Sequence, residues 1–399
     1  MRVAVLFARL GPYHVARLRA LSEHHAVTAV ELSGENINYT WDPVDASGLH
    51  HVQLFDMNHR TARPRRLRRT LRQALDRDAP DVIAVPGWWD PGALLGIEWA
   101  HDRGVPVVLM SDSTRHDAPR VWWHEWPKKR VVGLCQSGFV AGRRHEAYLS
   151  ELRLSPARIV QGYDVVDNAH FSEGADRSRN GQAVPSEEHG FPAHYFLSCA
   201  RFVEKKNLPM LVRAYARYRD QISTTGWPLV IVGDGPQRDA IDAEVQRLDL
   251  REHVYFPGFK QYDELPAYYG RADAFILPSK YEQWGLVVNE AMAAGLPVLV
   301  SERCGCAPDL VAEGENGWTF APDAPGELAQ LMTRISEENI DCTALGQASR
   351  ERIQAWSPET FAASMTEAVR IARQQNVSSL SPVDRVLLRA LAYKATLTG

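Results

Sequence analysis

Apolar positions in this chain fall into short unbroken runs, separated by longer stretches in which they recur every three or four residues. Val3–Phe7, Val27–Leu32, Asp81–Val85 and Val105–Met110 lack the alternation of a half-solvated strand. They predict parallel strands covered on both faces, and Val131–Cys135 and Arg158–Val160 extend the series. Between the runs, a turn at Gly11-Pro-Tyr-His14 leads into a helix over Val15–Ser22, with Leu18 and Leu21 inward. From Ser172 to His194 the chain becomes polar and rich in Gly, Ser, Pro, Glu and Arg, as a linker does. The style then repeats, with strands at Tyr195–Ala200, Leu229–Val232, Val254–Phe256, Ala274–Leu277 and Val298–Val300. Asn207 is placed to cap a helix carrying Leu208, Leu211, Val212 and Tyr215 on one face, and Pro236 suits the first turn of another. Strand and helix alternate in both halves, which predicts an α/β fold of two doubly wound, Rossmann-like domains with ligands at the carboxyl ends of the strands. The division is residues 1–171, a linker at 172–194, a second domain at 195–357, and C-terminal helices at 358–399 that cross back to the first domain.

Length and composition agree with this division. A chain of 399 residues is too long for one ordinary core. Hydrophobic residues make up 45% and charged residues 24%, the balance of a water-soluble globular protein. A net charge of −4 gives no general attraction to nucleic acid. Five cysteines without framework spacing suggest a reduced, cytoplasmic setting. Cys304-Gly-Cys306 supplies two close thiols but no second ligand pair, so no metal site is expected. No window holds the roughly 20 apolar residues of a membrane span, and Met1–Phe7 is too short for a signal-peptide core and reads as a first strand.

The most informative segment begins at Ser279-Lys-Tyr-Glu-Gln-Trp-Gly285. It follows the strand at Ala274–Leu277, enters a helical run at Gly285, and is closed by Gly295-Leu-Pro297. Glu282 and Glu290 lie eight positions apart across this strand-to-helix junction. A helix starting near Gly285 directs unpaired N–H groups and partial positive charge at its mouth, where a phosphate would sit. Glu282 would then lie on the loop side, with Glu290 about two turns along the helix. Carboxylates do not hold phosphate, but they accept hydrogen bonds from sugar and ribose hydroxyls, so the arrangement suits a nucleotide sugar.

Tyr281-Glu282-x-x-Gly285-Leu286-Val287 followed by Glu290-Ala-Met-Ala-Ala-Gly-Leu-Pro-Val298 resembles the Glu, seven residues, Glu motif of retaining glycosyltransferases of family 4, the glycosyl transferases group 1. The resemblance is strong over the second domain and weak over the first. It implies the GT-B fold, two Rossmann-like domains facing across a cleft, with acceptor held by the first and nucleotide sugar by the second. It also implies a metal-independent, retaining hexosyltransferase without a cofactor. Arg201 and Lys206 stand at the family's spacing for the cations that stabilise the leaving diphosphate. Glu282 would hold sugar hydroxyls and Glu290 the ribose. Trp284, Gly285, Leu286 and Val287 line the donor, although Gln283-Trp284 replaces the family's more usual Gly-Phe. Gly233, in Gly233-Asp-Gly-Pro236, falls in the donor cleft, and Phe259 and Lys260 stand where the family holds the base.

In the first domain the resemblance loosens. Where the family often has a Gly-Gly pair, Gly11-Pro12 precedes Tyr13-His14, with Gly11 and His14 as the expected substrate contacts, and Asp112 or His116 replaces the family's sugar-contacting His. Trp88-Trp89, Trp122-Trp123 and Trp126 offer aromatic faces, about half of which would line an acceptor cleft. His59 to Leu75 carries seven arginines and no acid, with Leu67, Leu71 and Leu75 on one stripe. That pattern suits either a solvated helix with its leucines in the core or peripheral contact with the inner face of an anionic membrane. Asp76-Arg-Asp78 ends a polar helical stretch, away from any strand end. The expected partners are a nucleotide diphosphate sugar, a UDP-sugar ahead of a GDP-sugar, and a glycan, lipid-linked or small-molecule hydroxyl acceptor, with no nucleic acid. An epimerase of the same fold and a catalytically silent nucleotide-sugar-binding protein are the alternatives.

Overall fold

The computed structural model describes residues 1–34, 42, 44–117, 121–182, 192, 194–222, 226–337 and 340–397. The chain forms two compact units, one of Met1–Val165 with Pro358–Gly399 and the other of Val166–Ser357.

The first unit is built on seven parallel strands: β1 (Arg2–Phe7), β2 (Ala26–Glu31), β3 (His50–Gln53), β4 (Val82–Pro86), β5 (Val107–Ser111), β6 (Ser137–Val140) and β7 (Ile159–Gln161). They lie in the order β3-β2-β1-β4-β5-β6-β7, which reverses direction between β1 and β4. Successive side chains of a strand face opposite ways. Ala4 and Leu6 of β1 pack into a core with Leu67, Leu71 and Leu75 of helix Pro64–Asp78, helix Pro91–Arg103, and Leu388 and Ala392 of helix Pro382–Leu397. Helices Pro12–Ser22 and Pro358–Arg373 pair with each other, and the latter lies along β6 and β7. There the Ser137 hydroxyl donates to the Ala368 carbonyl at 2.8 Å. Both C-terminal helices are therefore integral to the first unit.

The second unit has six parallel strands: β8 (Phe196–Cys199), β9 (Leu229–Val232), β10 (Val254–Gly258), β11 (Ala274–Leu277), β12 (Val298–Ser301) and β13 (Gly317–Phe320). Their order is β10-β9-β8-β11-β12-β13, with the reversal between β8 and β11. This is the doubly wound arrangement, in which ligands meet the carboxyl edge near the switch point.

Several expectations need correction. Val131–Cys135 is not a strand: its first two residues end helix Trp122–Val132, and the strand is Ser137–Val140. Val131 and Val132 are apolar because they pack into the core, and burial alone does not separate a helix end from a strand. The segment 172–194 is not a linker throughout. Residues up to Arg179 continue helix Asn168–Arg179, which packs on helix Leu265–Arg271. Gly174 permits that approach, since a Cβ there would meet Pro266 Cβ at 2.4 Å. The remainder of 183–191 lies outside the described residues. Pro236 precedes its helix, which starts at Arg238. β3 and β13 carry no strong apolar run and were not foreseen.

Asn207 does not cap with its side chain. It takes a left-handed backbone at φ 58°, and its amide donates to the carbonyls of Pro278 at 3.2 Å and Pro322 at 2.8 Å. It therefore ties the loop after β8 to the loops after β11 and β13. Asn207→Ala should lower unfolding stability by about 1–3 kcal/mol, the cost of leaving buried carbonyls unpaired. Equilibrium urea unfolding checks this, and an unchanged midpoint would show that the loops hold without the bridge.

Candidate active site

β8, β9, β11 and β12 of the second sheet are buried throughout, so polar chemistry gathers in the loops at their carboxyl ends. Backbone hydrogen bonds join these loops. Phe202 N–H donates to the Asp234 carbonyl at 2.8 Å, Gly233 N–H to Gly258 at 2.9 Å, Lys280 N–H to Lys205 at 2.8 Å, and Gly305 N–H to Glu282 at 2.9 Å. The loops after β8, β9, β10, β11 and β12 thus form one connected floor. Gly233 is required for that closeness: at φ 133°, an added Cβ would stand 1.9 Å from the Ala200 carbonyl oxygen. This packing accounts for Gly233 without any ligand, and it positions the backbone next to Arg201.

Gly285 opens helix Leu286–Ala293 with φ 107°. Just before it, the Glu282 carboxylate is buried and held by two cations. Lys205 Nζ donates to Oε1 at 2.7 Å and Lys206 Nζ donates to Oε2. The Ser279 hydroxyl lies 3.5 Å from the same Oε2. Burial would raise the Glu282 pKa, but Lys206 and Lys205 outweigh it and hold the carboxyl below the usual carboxylate range. The negative charge is therefore permanent at neutral pH, and it fixes two ammonium groups at the mouth of the helix. Arg201 lies exposed just beyond β8, on the same loop as the lysines. Lys205 was not singled out from the sequence, because a Lys-Lys pair on a turn looks like a solvated charge run until the fold aims both at one buried acid.

Glu290 is the fifth residue of its helix, little more than one turn in, and not two. It is fully buried, and the Tyr269 hydroxyl donates to Oε2 at 2.6 Å. Burial pushes the Tyr269 phenol well above its usual range, with Cys199 and Glu290 adding to the effect. Nothing in the sequence joins Tyr269 to Glu290; only the packing of helix Leu265–Arg271 does. Trp284 also turns inward, its indole donating to Asn289 Oδ1 at 2.9 Å. The indole therefore anchors the loop from inside the unit. Lys260 lies beyond β10, 3.7 Å from Glu264 Oε1 and over the Tyr268 ring at 5.6 Å.

In the first unit, Gly11 begins helix Pro12–Ser22, and its N–H donates to His14 Nδ1 at 2.9 Å. That bond makes Nδ1 the acceptor, so Nε2 carries the ring hydrogen. Burial, then the Arg17 guanidinium, lower the His14 pKa to about 3, and the imidazole is neutral at any working pH. Asp112 is half-buried after β5, while His116 is exposed in the turn where Asp117 accepts from the Thr114 hydroxyl at 2.6 Å. Trp88 is in the core, whereas Trp89, Trp122, Trp123 and Trp126 are exposed. Ser33, His59 and Asp90 form a Ser-His-Asp chain, with 2.5 Å from Ser33 Oγ to His59 Nδ1 and 2.9 Å from His59 Nε2 to Asp90 Oδ2. All three are buried and Asp90 caps helix Pro91–Arg103, so the chain is a structural tie. Asp76 and Asp78 accept from Trp99 and Thr28 respectively, and are likewise used for packing. Among the described residues no group of three or more His, Cys, Asp or Glu is placed to hold a metal ion.

Residues 186–352 match the family model of glycosyl transferases group 1. Over 179 residues the chain is 31% identical to the GDP-mannose-dependent alpha-(1-6)-phosphatidylinositol monomannoside mannosyltransferase of Mycobacterium tuberculosis, covering 43% of this chain and 46% of that one. It is 29% identical over 169 residues to a sulfoquinovosyl transferase of Arabidopsis thaliana, covering 40% and 32%. The chain thus spans half or less of the length of these curated relatives. Among solved structures, Anabaena HepE in complex with UDP superposes with a TM-score of 0.71 at 16% identity, covering 93% of this chain and 100% of that one. Sucrose-phosphate synthase from Thermosynechococcus elongatus gives 0.71 at 22%, covering 93% and 98%. At such identities the likeness establishes the fold, which is GT-B.

The lysine pair generates a prediction about stability. Lys206→Met leaves the buried Glu282 with one cation and should cost about 1–3 kcal/mol at neutral pH. The Glu282 pKa is depressed in the folded state, so its contribution is in place above the ordinary carboxylate range and is lost as pH falls through the depressed value. The gap between wild type and variant should therefore narrow below about pH 4. Urea unfolding across that range checks the sign, and a constant gap would place the stabilisation elsewhere.

Proposed function

We propose, from the match of residues 186–352 to the family model of glycosyl transferases group 1, that this protein is a retaining, metal-independent hexosyltransferase. It moves a sugar from a nucleotide diphosphate sugar to a hydroxyl acceptor, a glycan, a lipid-linked sugar or a small molecule. The observation that carries the proposal is the buried Glu282 carboxylate bonded by Lys205 and Lys206 at the mouth of helix Leu286–Ala293. A diphosphate arriving at this helix mouth competes for the lysines with a strong anion of its own. As the bond from sugar to phosphate breaks, charge builds on the leaving oxygen, and Lys206 with Arg201 stabilises it there. Glu282, relieved of one ammonium, is then available to accept from sugar hydroxyls. The acceptor hydroxyl attacks on the face the diphosphate leaves, and a phosphate oxygen takes its proton.

Glu290 is the assigned ribose partner, and the Tyr269 hydroxyl, donating to Oε2, holds its carboxylate in place. Gly233, Lys260 and the backbone at Gly285, Leu286 and Val287 complete the donor side, while Gly11, His14, Asp112 and His116 serve the first domain's substrate contacts. The neutral His14 can donate from Nε2 to a sugar or phosphate oxygen. A relative named for GDP-mannose and a structural neighbour solved with UDP leave the base open. A UDP-sugar is the first choice to test, and thermal shifts with UDP, GDP and ADP rank the three. The free cysteines fit a reducing compartment such as the cytoplasm.

Two measurements test the proposal. With an α-linked donor and excess chelator, the product should form and show an α anomeric coupling constant by NMR. A β product would overturn retention, and loss of activity restored by magnesium or manganese would overturn metal independence. Arg201→Ala should reduce turnover by about 10²–10³-fold, the range for removing one transition-state donor. Full turnover in that variant would remove Arg201 from the site.

A further inference from the structure

A cavity of about 370 Å³ opens in the second unit beside the turn that carries the lysine pair. One wall is a face of helix Leu208–Gln221, where Met210 and Arg213 stand three residues apart. The loops after β11, β12 and β13 make the others and bring in Lys280, Arg303, Pro322 and Asp323. Asn207 also lines the cavity, and its amide holds the carbonyls of Pro278 and Pro322, so two of the walls are tied together there. Among the described residues, neither Glu282 nor its two lysines lines this space, which is therefore separate from the helix mouth.

The lining identifies the chemistry of an occupant. Arg213, Lys280 and Arg303 are about half exposed, and Asp323 is the one acid lining the cavity with them. Arg213 pairs with Glu244 at 3.2 Å and Lys280 with Glu204 at 2.9 Å, both acids outside the lining, while Arg303 stands 3.8 Å from Asp323. Exposed pairs of this kind contribute little, so a ligand with a compact double charge can recruit the cations, and a guanidinium fork matches two phosphate oxygens at once. Met210 and Pro322 are buried and give the space an apolar floor. No aromatic ring stands among the lining residues, so nothing there stacks on a nucleobase. The volume falls at the lower end of the roughly 300–1,000 Å³ of small-molecule sites, which suits a body the size of one sugar.

We propose that this cavity binds a phosphate monoester carried on a small sugar or polyol, and that the occupant acts as an effector of the neighbouring donor loops. Arg213 and Arg303 hold the phosphate, and the body lies on Met210 and Pro322. Lys280 connects the two places. Its main-chain N–H donates to the Lys205 carbonyl at 2.8 Å, and its ammonium donates to Glu204, the residue that opens the Glu204–Lys206 turn. An occupant that draws in the Lys280 ammonium therefore acts on the turn whose lysines hold Glu282. It also links helix Leu208–Gln221 to the loops after β11 and β12, which steadies the floor those loops form. The effector role rests on the transferase reading, and its sense is to favour nucleoside diphosphate binding. Occupancy of the cavity needs no nucleotide and is tested without one.

The experiment is isothermal titration of the full chain with ribose 5-phosphate, ribose and inorganic phosphate, each alone and with saturating nucleoside diphosphate. Ribose 5-phosphate is expected to bind, inorganic phosphate more weakly, and ribose not at all. Arg213→Ala/Arg303→Ala should weaken ribose 5-phosphate by about tenfold or more, the scale of a lost charged hydrogen bond. Asp323→Asn, which removes the one acid of the lining, should tighten it. All three positions are exposed, and an unchanged thermal midpoint confirms that each variant is folded. Coupling between two sites is reciprocal, so ribose 5-phosphate and nucleoside diphosphate should each bind more tightly in the presence of the other. No binding of ribose 5-phosphate, binding that the arginine substitutions leave intact, or equal binding of inorganic phosphate overturns the proposal. Mutual displacement would move the ligand to the helix mouth and overturn it too, and binding without coupling would remove the effector role. Failure of nucleoside diphosphates to bind counts against the transferase reading, and the titration with ribose 5-phosphate alone then still decides the cavity.

Discussion

A parallel strand covered on both faces can present polar chemistry only where it ends, and that constraint organises this molecule. In the second unit it leaves Arg201, Gly233, Lys260 and Glu282 with nowhere to act but the loops beyond β8, β9, β10 and β11. The reversal of strand order between β8 and β11 puts the lysines and Glu282 on adjacent loops. The loops are then fixed by exchange of main-chain hydrogen bonds, so the position of each charged side chain depends on the backbone of its neighbours. Asn207 belongs to the same logic, because its amide reaches two carbonyls from two other loops.

Within that frame, the pairing of one buried carboxylate with two lysines is electrostatically uneven by design of its surroundings. The one carboxylate draws two ammonium groups to the mouth of the helix, where the backbone already favours an anion. Glu290 faces the reverse situation. It lies deeper, bonded to a tyrosine whose own proton is held firmly by burial. The two acids of the motif thus sit in unlike environments, one beside cations and one beside a neutral donor, and they are suited to different hydroxyls.

The first unit uses similar means for other ends. Glu98 of helix Pro91–Arg103, nearly fully buried, gathers Arg68, Arg385 and Arg389 and so fastens the C-terminal helix to helices Pro91–Arg103 and Pro64–Asp78. The arginine-rich run is therefore partly structural, with its inner members tied down and its outer members facing water. The same helix that is fastened on one side exposes Val383, Val386, Tyr393 and Leu397 on the other.

The strands of both sheets were legible in the sequence wherever burial on both faces demanded an unbroken apolar run, as at β1, β4, β5, β9, β11 and β12. Glu282, Glu290, Arg201 and Lys206 stand out as candidates in the sequence because their spacing is local, set by one strand-to-helix junction or one turn. β3 and β13 were not, since an edge strand can be short and only partly apolar, and Val131–Cys135 misled because burial looks the same at a helix end. Lys205 and Tyr269 meet the two motif acids only through contacts across 77 and 21 positions of chain. Asn207 left its capping role for the same reason, its amide reaching Pro278 and Pro322, whereas the Trp284 indole turned inward to Asn289, five positions away. Local pattern determined which residues are apolar, charged or turn-forming. Which charges meet, and which aromatic rings stay outside, was decided by packing between segments far apart in the chain.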